Sequence, residues 1–138
     1  MKIKNFAMLA GVAGLLAACG GSSIVEPADL NEHRVFFAFN SAEISEDAEN
    51  NLLGQSLYMK NHEDVKIQIA GNCDERGSTE YNLALGAKRA NAAKQVLVKD
   101  GIDAKRISTI SYGKERPLVQ GSGEEVWKWN RNATTTVK

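Results

Sequence analysis

Between residues 65 and 101 the apolar period changes once, from two to about 3.6, across a single turn. Val65, Ile67 and Ile69 alternate with Lys66 and Gln68, so the segment from Val65 to Gly71 reads as a half-buried strand. Asn72 to Ser78 (NCDERGS) reads as a turn. Thr79 to Lys99 then reads as a long helix, capped by Ser78 and stopped by Asp100-Gly101, where the glycine can take a positive φ. A further strand is expected at Arg106 to Tyr112. Strand, turn, long helix and strand in that order point to an α/β arrangement.

The flanks extend the same pattern. Arg34 to Phe39 (RVFFAF) is short, aromatic and β-rich, and reads as a strand. Ser45 to Lys60 reads as a helix: Ser45 can cap it, Glu46, Asp47 and Glu49 favour its first turns, and Leu52, Leu53, Leu57 and Met59 give it apolar spacing. Gly113 to Glu124 reads as a loop, Glu125 to Asn130 as a helical turn, and Arg131 to Val137 as a last strand. The predicted fold is an α/β (α+β) sandwich of order β-α-β-α-β-β, with helices packed on one mixed sheet.

The first 18 residues are of another kind. Lys2 and Lys4 precede an uncharged apolar run from Phe6 to Ala18, which is too short for a comfortable membrane span and reads as a secretory signal peptide. Leu16-Ala17-Ala18-Cys19 resembles the lipobox of bacterial lipoproteins. That resemblance implies cleavage before Cys19 and acylation of Cys19. Each buried CH₂ adds about 0.8 kcal/mol to membrane attachment. Gly20, rather than Asp, after the cysteine implies sorting to the outer membrane, with the domain facing the periplasm.

Removing 18 of the 138 residues leaves 120, enough for one domain. Residues 1–18 are therefore assigned to the signal peptide, 19–31 to the lipidated cysteine and a flexible Gly/Ser-rich tether, and 32–138 to the domain. A free tether of that length spans at most roughly 40 Å. Losing Lys2 and Lys4 takes the formal net charge from 0 to −2, which argues against a nucleic-acid partner.

One residue of the long helix stands out. Arg89 lies two turns after Asn82 and borders a stripe formed by Tyr81, Leu85, Ala92, Ala93, Val96 and Leu97. A guanidinium there must be paired or must face a site. Its nearest candidate partner is Asp74, at the carboxyl end of the second strand, where ligands bind in α/β folds. By spacing alone the two read either as an ion pair that orders the turn or as a pair that grips a zwitterion. In the second case the carboxylate takes an ammonium and the guanidinium a carboxylate.

Gly71-x-x-Asp74-x-x-Gly77-x-x-x-Tyr81-Asn82-x-x-Leu85-x-x-x-Arg89-Ala90 resembles the signature of OmpA C-terminal-like domains. The longer string GNCDERGSTEYNLALGAKRANAAKQVL, with SYGKERP downstream, is similar to the peptidoglycan-associated lipoproteins of that family. The resemblance runs from about Arg34 to Arg131. It implies a non-catalytic protein that binds the diaminopimelate of the peptidoglycan stem peptide, with a TolB-like periplasmic partner in a Tol–Pal system. It implies no cofactor.

Carried over residue by residue, Asp74 and Arg89 match the two main diaminopimelate contacts, and Asn82 matches a polar contact on the same helix. Asn40 stands where the family usually has Asp, and Ser41 can add a hydroxyl. Cys73 replaces the usual Thr or Ala. Arg131 belongs to an Asn-Arg-Arg motif that here reads Asn130-Arg131-Asn132, so one arginine is missing. These departures bear on affinity, and an adaptor that binds protein partners with weakened peptidoglycan binding is the alternative.

Three other readings are weaker. Cys73 with His62 as a hydrolase pair fails on charge, because Asp74 beside the thiol raises its pKa. Trp127 and Trp129 could form a carbohydrate platform or simply pack on the sheet. His33 and His62 have no third ligand near them in sequence, so no metal site is expected. Tyr81 and Gly77 are assigned to packing and to the turn.

Overall fold

A computed structural model describes residues 24–138. Its elements are β1 (His33–Phe36), α1 (Glu46–Asn61), β2 (Ile67–Asn72), α2 (Thr79–Lys99), a 3₁₀ turn (Ala104–Arg106), β3 (Ile107–Gly113), α3 (Glu124–Asn130) and β4 (Asn132–Val137). The sheet order is β1-β4-β2-β3, with β2 and β3 parallel and the other two pairings antiparallel. This is the β-α-β-α-β-β mixed sheet expected from the sequence, and α1 and α2 pack on one face of it. No helix among the described residues is long and apolar enough to cross a membrane.

Local chemistry explains the helix limits. The Ser45 side chain accepts from Ala48 N, and that of Ser78 accepts from Tyr81 N, so both expected caps form. Asp47 and Glu49 lie in the first turn of α1, near the positive end of its dipole. The buried residues of α2 are Asn82, Leu85, Gly86, Arg89, Ala90, Ala93 and Leu97, one face at a spacing of three to four. Of these, Ala90, Ala93 and Leu97 join Ile67 and Ile69 of β2, Ile107 of β3, and Leu52 and Met59 of α1 in one buried cluster. Tyr81, expected in this stripe, is about half exposed.

Two expectations shift. The first strand stops at Phe36 rather than Phe39: Phe37 N still donates to Arg131 O, but Asn40 turns at φ 58°, and the chain leaves the sheet. Residues 19–31 are expected to form a flexible tether, yet parts of 24–31 touch the domain. Leu30 is fully buried in the core, Asn61 donates to Glu26, and the Val25 carbonyl sits so close to Gly54 that a Cβ there would stand 2.3 Å from it. The 40 Å reach does not apply to this stretch. Residues 1–23, with the leader and Cys19, lie outside the described residues.

Candidate functional site

A small cleft of about 110 Å³ opens at the carboxyl end of β2. Phe39 and Asn40 of the β1–α1 loop form one wall, Cys73, Asp74, Arg76 and Gly77 of the β2–α2 turn form the floor, and Tyr81, Asn82, Leu85 and Arg89 of α2 form the other wall. The position follows from the fold: a strand that ends beside the start of the following helix leaves a crevice there.

The turn is held from within. Asn82 Nδ2 donates to Arg76 O at 2.7 Å and to Ser78 O at 3.1 Å. Gly77 sits at φ 97°, a backbone state that side chains rarely adopt. Asn82 is thus committed to the turn through its Nδ2, although it also lines the cleft.

Arg89 is 1% exposed, among the most buried side chains of the molecule. Its Nε donates to Ser41 O at 2.8 Å, and its two terminal nitrogens donate to Asn72 O at 2.9 Å and Ala38 O at 3.1 Å. A guanidinium has five N–H groups, so two remain. No carboxylate pairs with Arg89 among the described residues. The ion pair with Asp74 that spacing allowed does not form. Burial lowers the Arg89 pKa more than nearby charges raise it. A buried cation whose hydrogen-bond partners among the described residues are neutral carbonyls favours an anionic group in the cleft.

Asp74 has other partners. Its side chain is 4% exposed and pairs with Arg76 at 2.8 Å and Arg131 at 3.4 Å. Burial pushes its carboxyl up, but the hydrogen bonds from Arg76 and Arg131 and the charge of Arg76 outweigh that and hold it below the usual range. Arg131 itself does not line the cleft. Nε donates to Phe37 O at 2.8 Å, and its two terminal nitrogens grip Glu124 at 3.1 and 2.8 Å, so it supports Asp74 from behind. Ser41 also stands outside the lining: its hydroxyl accepts from Glu43 N, and its carbonyl serves Arg89. Asn132, in place of the second arginine, is tied to Trp129 O, Asn72 and Thr134.

Cys73 lies beside Arg89 with its thiol 3.3 Å from Asn82 O, and burial pushes its pKa up. The imidazole of His62 stacks on Tyr58, its Nδ1 2.8 Å from Tyr58 O. Thiol and imidazole therefore engage different partners, and the hydrolase pair is not assembled. No group of His, Cys, Asp or Glu among the described residues is placed to hold a metal ion.

Phe39, Arg76 and Tyr81 line the cleft but are not among the residues that the sequence assigns to the site. Tyr81 donates its hydroxyl to Asn40 Oδ1 across the mouth. The Arg76 guanidinium carbon lies 3.9 Å from the ring centroids of both Phe39 and Trp127, so the planar group is held between the two rings. Trp127 is fixed in turn by its Nε1–H on Glu75 at 2.8 Å. Of the two tryptophans, Trp127 covers Arg76 and Trp129 meets Phe36 edge-on. The lining carries two guanidinium groups, Arg76 and Arg89, against one carboxylate, Asp74, because Asn40 brings no charge. The cleft is therefore net positive.

The sequence profile of the OmpA family matches residues 36–131, which run from the last residue of β1 to the residue before β4 and include every residue of this cleft. The chain belongs to the OmpA family. Among its members, the peptidoglycan-associated lipoprotein of Mesorhizobium japonicum is 40% identical over 136 residues, covering 99% of this chain and 80% of its own length. That of Pasteurella multocida is 35% identical and covers 96% of both chains. The crystal structure of the peptidoglycan-associated lipoprotein from Burkholderia pseudomallei superposes with a TM-score of 0.75 at 37% identity, over 78% of this chain and 91% of that one. The C-terminal domain of Helicobacter pylori MotB shares the OmpA-family fold, with a TM-score of 0.71 at 20% identity over 77% of this chain and 84% of that one.

Proposed function

We propose that this OmpA-family chain is a non-catalytic lipoprotein of the outer membrane that binds peptidoglycan from the periplasmic side. The ligand end is the diaminopimelate of the stem peptide. The observation that carries this reading is Arg89, a buried guanidinium with no carboxylate partner among the described residues and with two N–H groups beyond the three bound to carbonyls, in a cleft that also holds Asp74. A ligand carboxylate supplies the missing countercharge, and an ammonium on the same tetrahedral carbon is drawn to Asp74. The cleft is small, so it takes the end of one side chain and leaves the rest of the peptide outside. The similarity to proteins named peptidoglycan-associated lipoproteins points the same way.

The test is titration of the full chain, purified in detergent, with an Ala-Glu-diaminopimelate tripeptide and with its lysine counterpart. Lysine keeps the ammonium but lacks the terminal carboxylate. Losing a charge-assisted contact costs about 1.5–3 kcal/mol, so the lysine peptide is expected to bind roughly tenfold or more weakly. Equal affinity for both peptides removes Arg89 from the reading.

The leader sequence supports anchoring through acyl chains on Cys19, and the family resemblance supports a TolB-like partner in a Tol–Pal assembly that ties the outer membrane to the wall. Cys19→Ala is expected to leave an uncleaved, unacylated precursor, checked by intact mass and membrane fractionation. Normal processing of this variant refutes the lipobox.

A further inference from the structure

Asp74 has no vacant acceptor. A carboxylate offers about four lone-pair positions, and four donors address this one. Oδ1 accepts from the Arg76 backbone N–H at 3.0 Å and from Arg76 Nε at 3.1 Å. Oδ2 accepts from a terminal nitrogen of Arg76 at 2.8 Å and one of Arg131 at 3.4 Å. A ligand ammonium that is to reach Asp74 must therefore replace one of these donors.

The three arginines around the cleft are not equally free to move. Arg89 is locked to three backbone carbonyls. Arg131 is locked to Phe37 O and to both oxygens of Glu124. Arg76 has no such anchor among the described residues: its side chain is 31% exposed, and its guanidinium bonds there only to Asp74. What holds it otherwise is the pair of ring faces, Phe39 and Trp127. Attraction of a cation to a ring face is not tied to one hydrogen-bond position, so the group can slide between the rings and stay stabilised.

We propose that Arg76 is a built-in occupant of the ammonium position, a latch that covers Asp74 in the free protein and gives way to the ligand's ammonium. The released guanidinium stays between Phe39 and Trp127. This rests on the reading of the cleft as a diaminopimelate site and adds how that site selects its ligand. Only a ligand with both charges gains by opening the latch. A ligand with a carboxylate alone can reach Arg89 but leaves Arg76 on Asp74. Apparent affinity is reduced by the fraction of molecules in which the latch is closed.

The experiment compares the full chain and its Arg76→Gln variant, both in detergent, with the diaminopimelate tripeptide and a 2-aminopimelate tripeptide that lacks the terminal amine. Arg76→Gln is expected to tighten the diaminopimelate peptide about three- to tenfold and to widen its preference over the aminopimelate peptide. Weaker or unchanged binding of the diaminopimelate peptide overturns the latch. In a Trp129→Phe background, ligand should also shift the emission of Trp127, and that shift should vanish when Arg76 is replaced. No shift on saturation with the peptide counts against the movement. The two readings separate cleanly: failure of the unmodified chain to bind the tripeptide refutes the site, whereas binding without a gain in Arg76→Gln refutes only the latch.

Discussion

Arg89→Lys is expected to weaken binding of the diaminopimelate tripeptide at least about tenfold and to lower the melting temperature by roughly 10 °C. The charge survives in this variant, but the planar fork does not. In the parent, one guanidinium bonds the carbonyls of Ala38 and Ser41 in the β1–α1 loop and of Asn72 at the end of β2. An ammonium on a single stem cannot reach three carbonyls so placed and still present a paired edge to a ligand. Each buried carbonyl left without a donor costs about 1–3 kcal/mol. One kcal/mol shifts the melting temperature of a domain of this size by roughly 4 °C.

Arg89→Ala should be worse on both counts, since it adds a cavity. The sequence alone suggests a wet crevice in which binding suffers more than stability. The burial of Arg89 reverses that expectation, and both should fall. Asp74→Asn is the cleaner probe of ligand contact, because Arg131 keeps Glu124 as its partner. Calorimetric titration with the tripeptide, beside thermal melts of each variant, decides the matter. A large drop in melting temperature with unchanged affinity in all three variants would mean that Arg89 and Asp74 are structural only.

Gly71→Ala is expected to destabilise the domain by about 3 kcal/mol or more, a loss of at least about 10 °C in melting temperature. A Cβ at Gly71 would stand 1.7 Å from the carbonyl oxygen of Gly86. That neighbour is backbone in the middle of a helix and cannot rotate away, so α2 would have to lift off β2. Gly86→Ala meets the Ser111 hydroxyl at 2.3 Å and Gly71 O at 2.9 Å, and should cost somewhat less because a hydroxyl can turn aside. The contact also matters for the site. Arg89 lies one helical turn beyond Gly86, and its bond to Asn72 O depends on how closely the helix approaches the strand. Binding should therefore fall along with stability in Gly71→Ala. A melt within about 3 °C of the parent would show that helix and strand are not seated this closely.

What the chain discloses by itself is what acts over a few residues. The change of period, the Ser78 cap and Asp100-Gly101 at the helix end place α2 at Thr79–Lys99, because capping and amphipathic spacing are local. The β-α-β-α-β-β order follows from those elements. Asp74, Arg89, Asn82, Asn40 and Cys73 were legible through the spacing of a family signature, and all five line the cleft. Tyr81 stands in the same signature but reads as packing, because a helical period does not distinguish a side chain at the mouth of a cleft from one in the core. Arg76, in the middle of the same turn, carried no signal of its own: its aromatic neighbours Phe39 and Trp127 are far away in sequence.

The partners of Arg89 were decided by tertiary structure alone. Ala38 and Ser41 are 51 and 48 residues away, and they reach the guanidinium only because the chain leaves β1 beside α2. The same holds for Arg131, 57 residues from Asp74, which stands behind that carboxylate because β4 inserts between β1 and β2. Sequence spacing could pair Asp74 with Arg89, since both lie in one strand–turn–helix unit. It could not show that backbone carbonyls would hold one and two other arginines the other. Strand order is set by how the whole sheet buries its apolar face, which is a property of all the strands together.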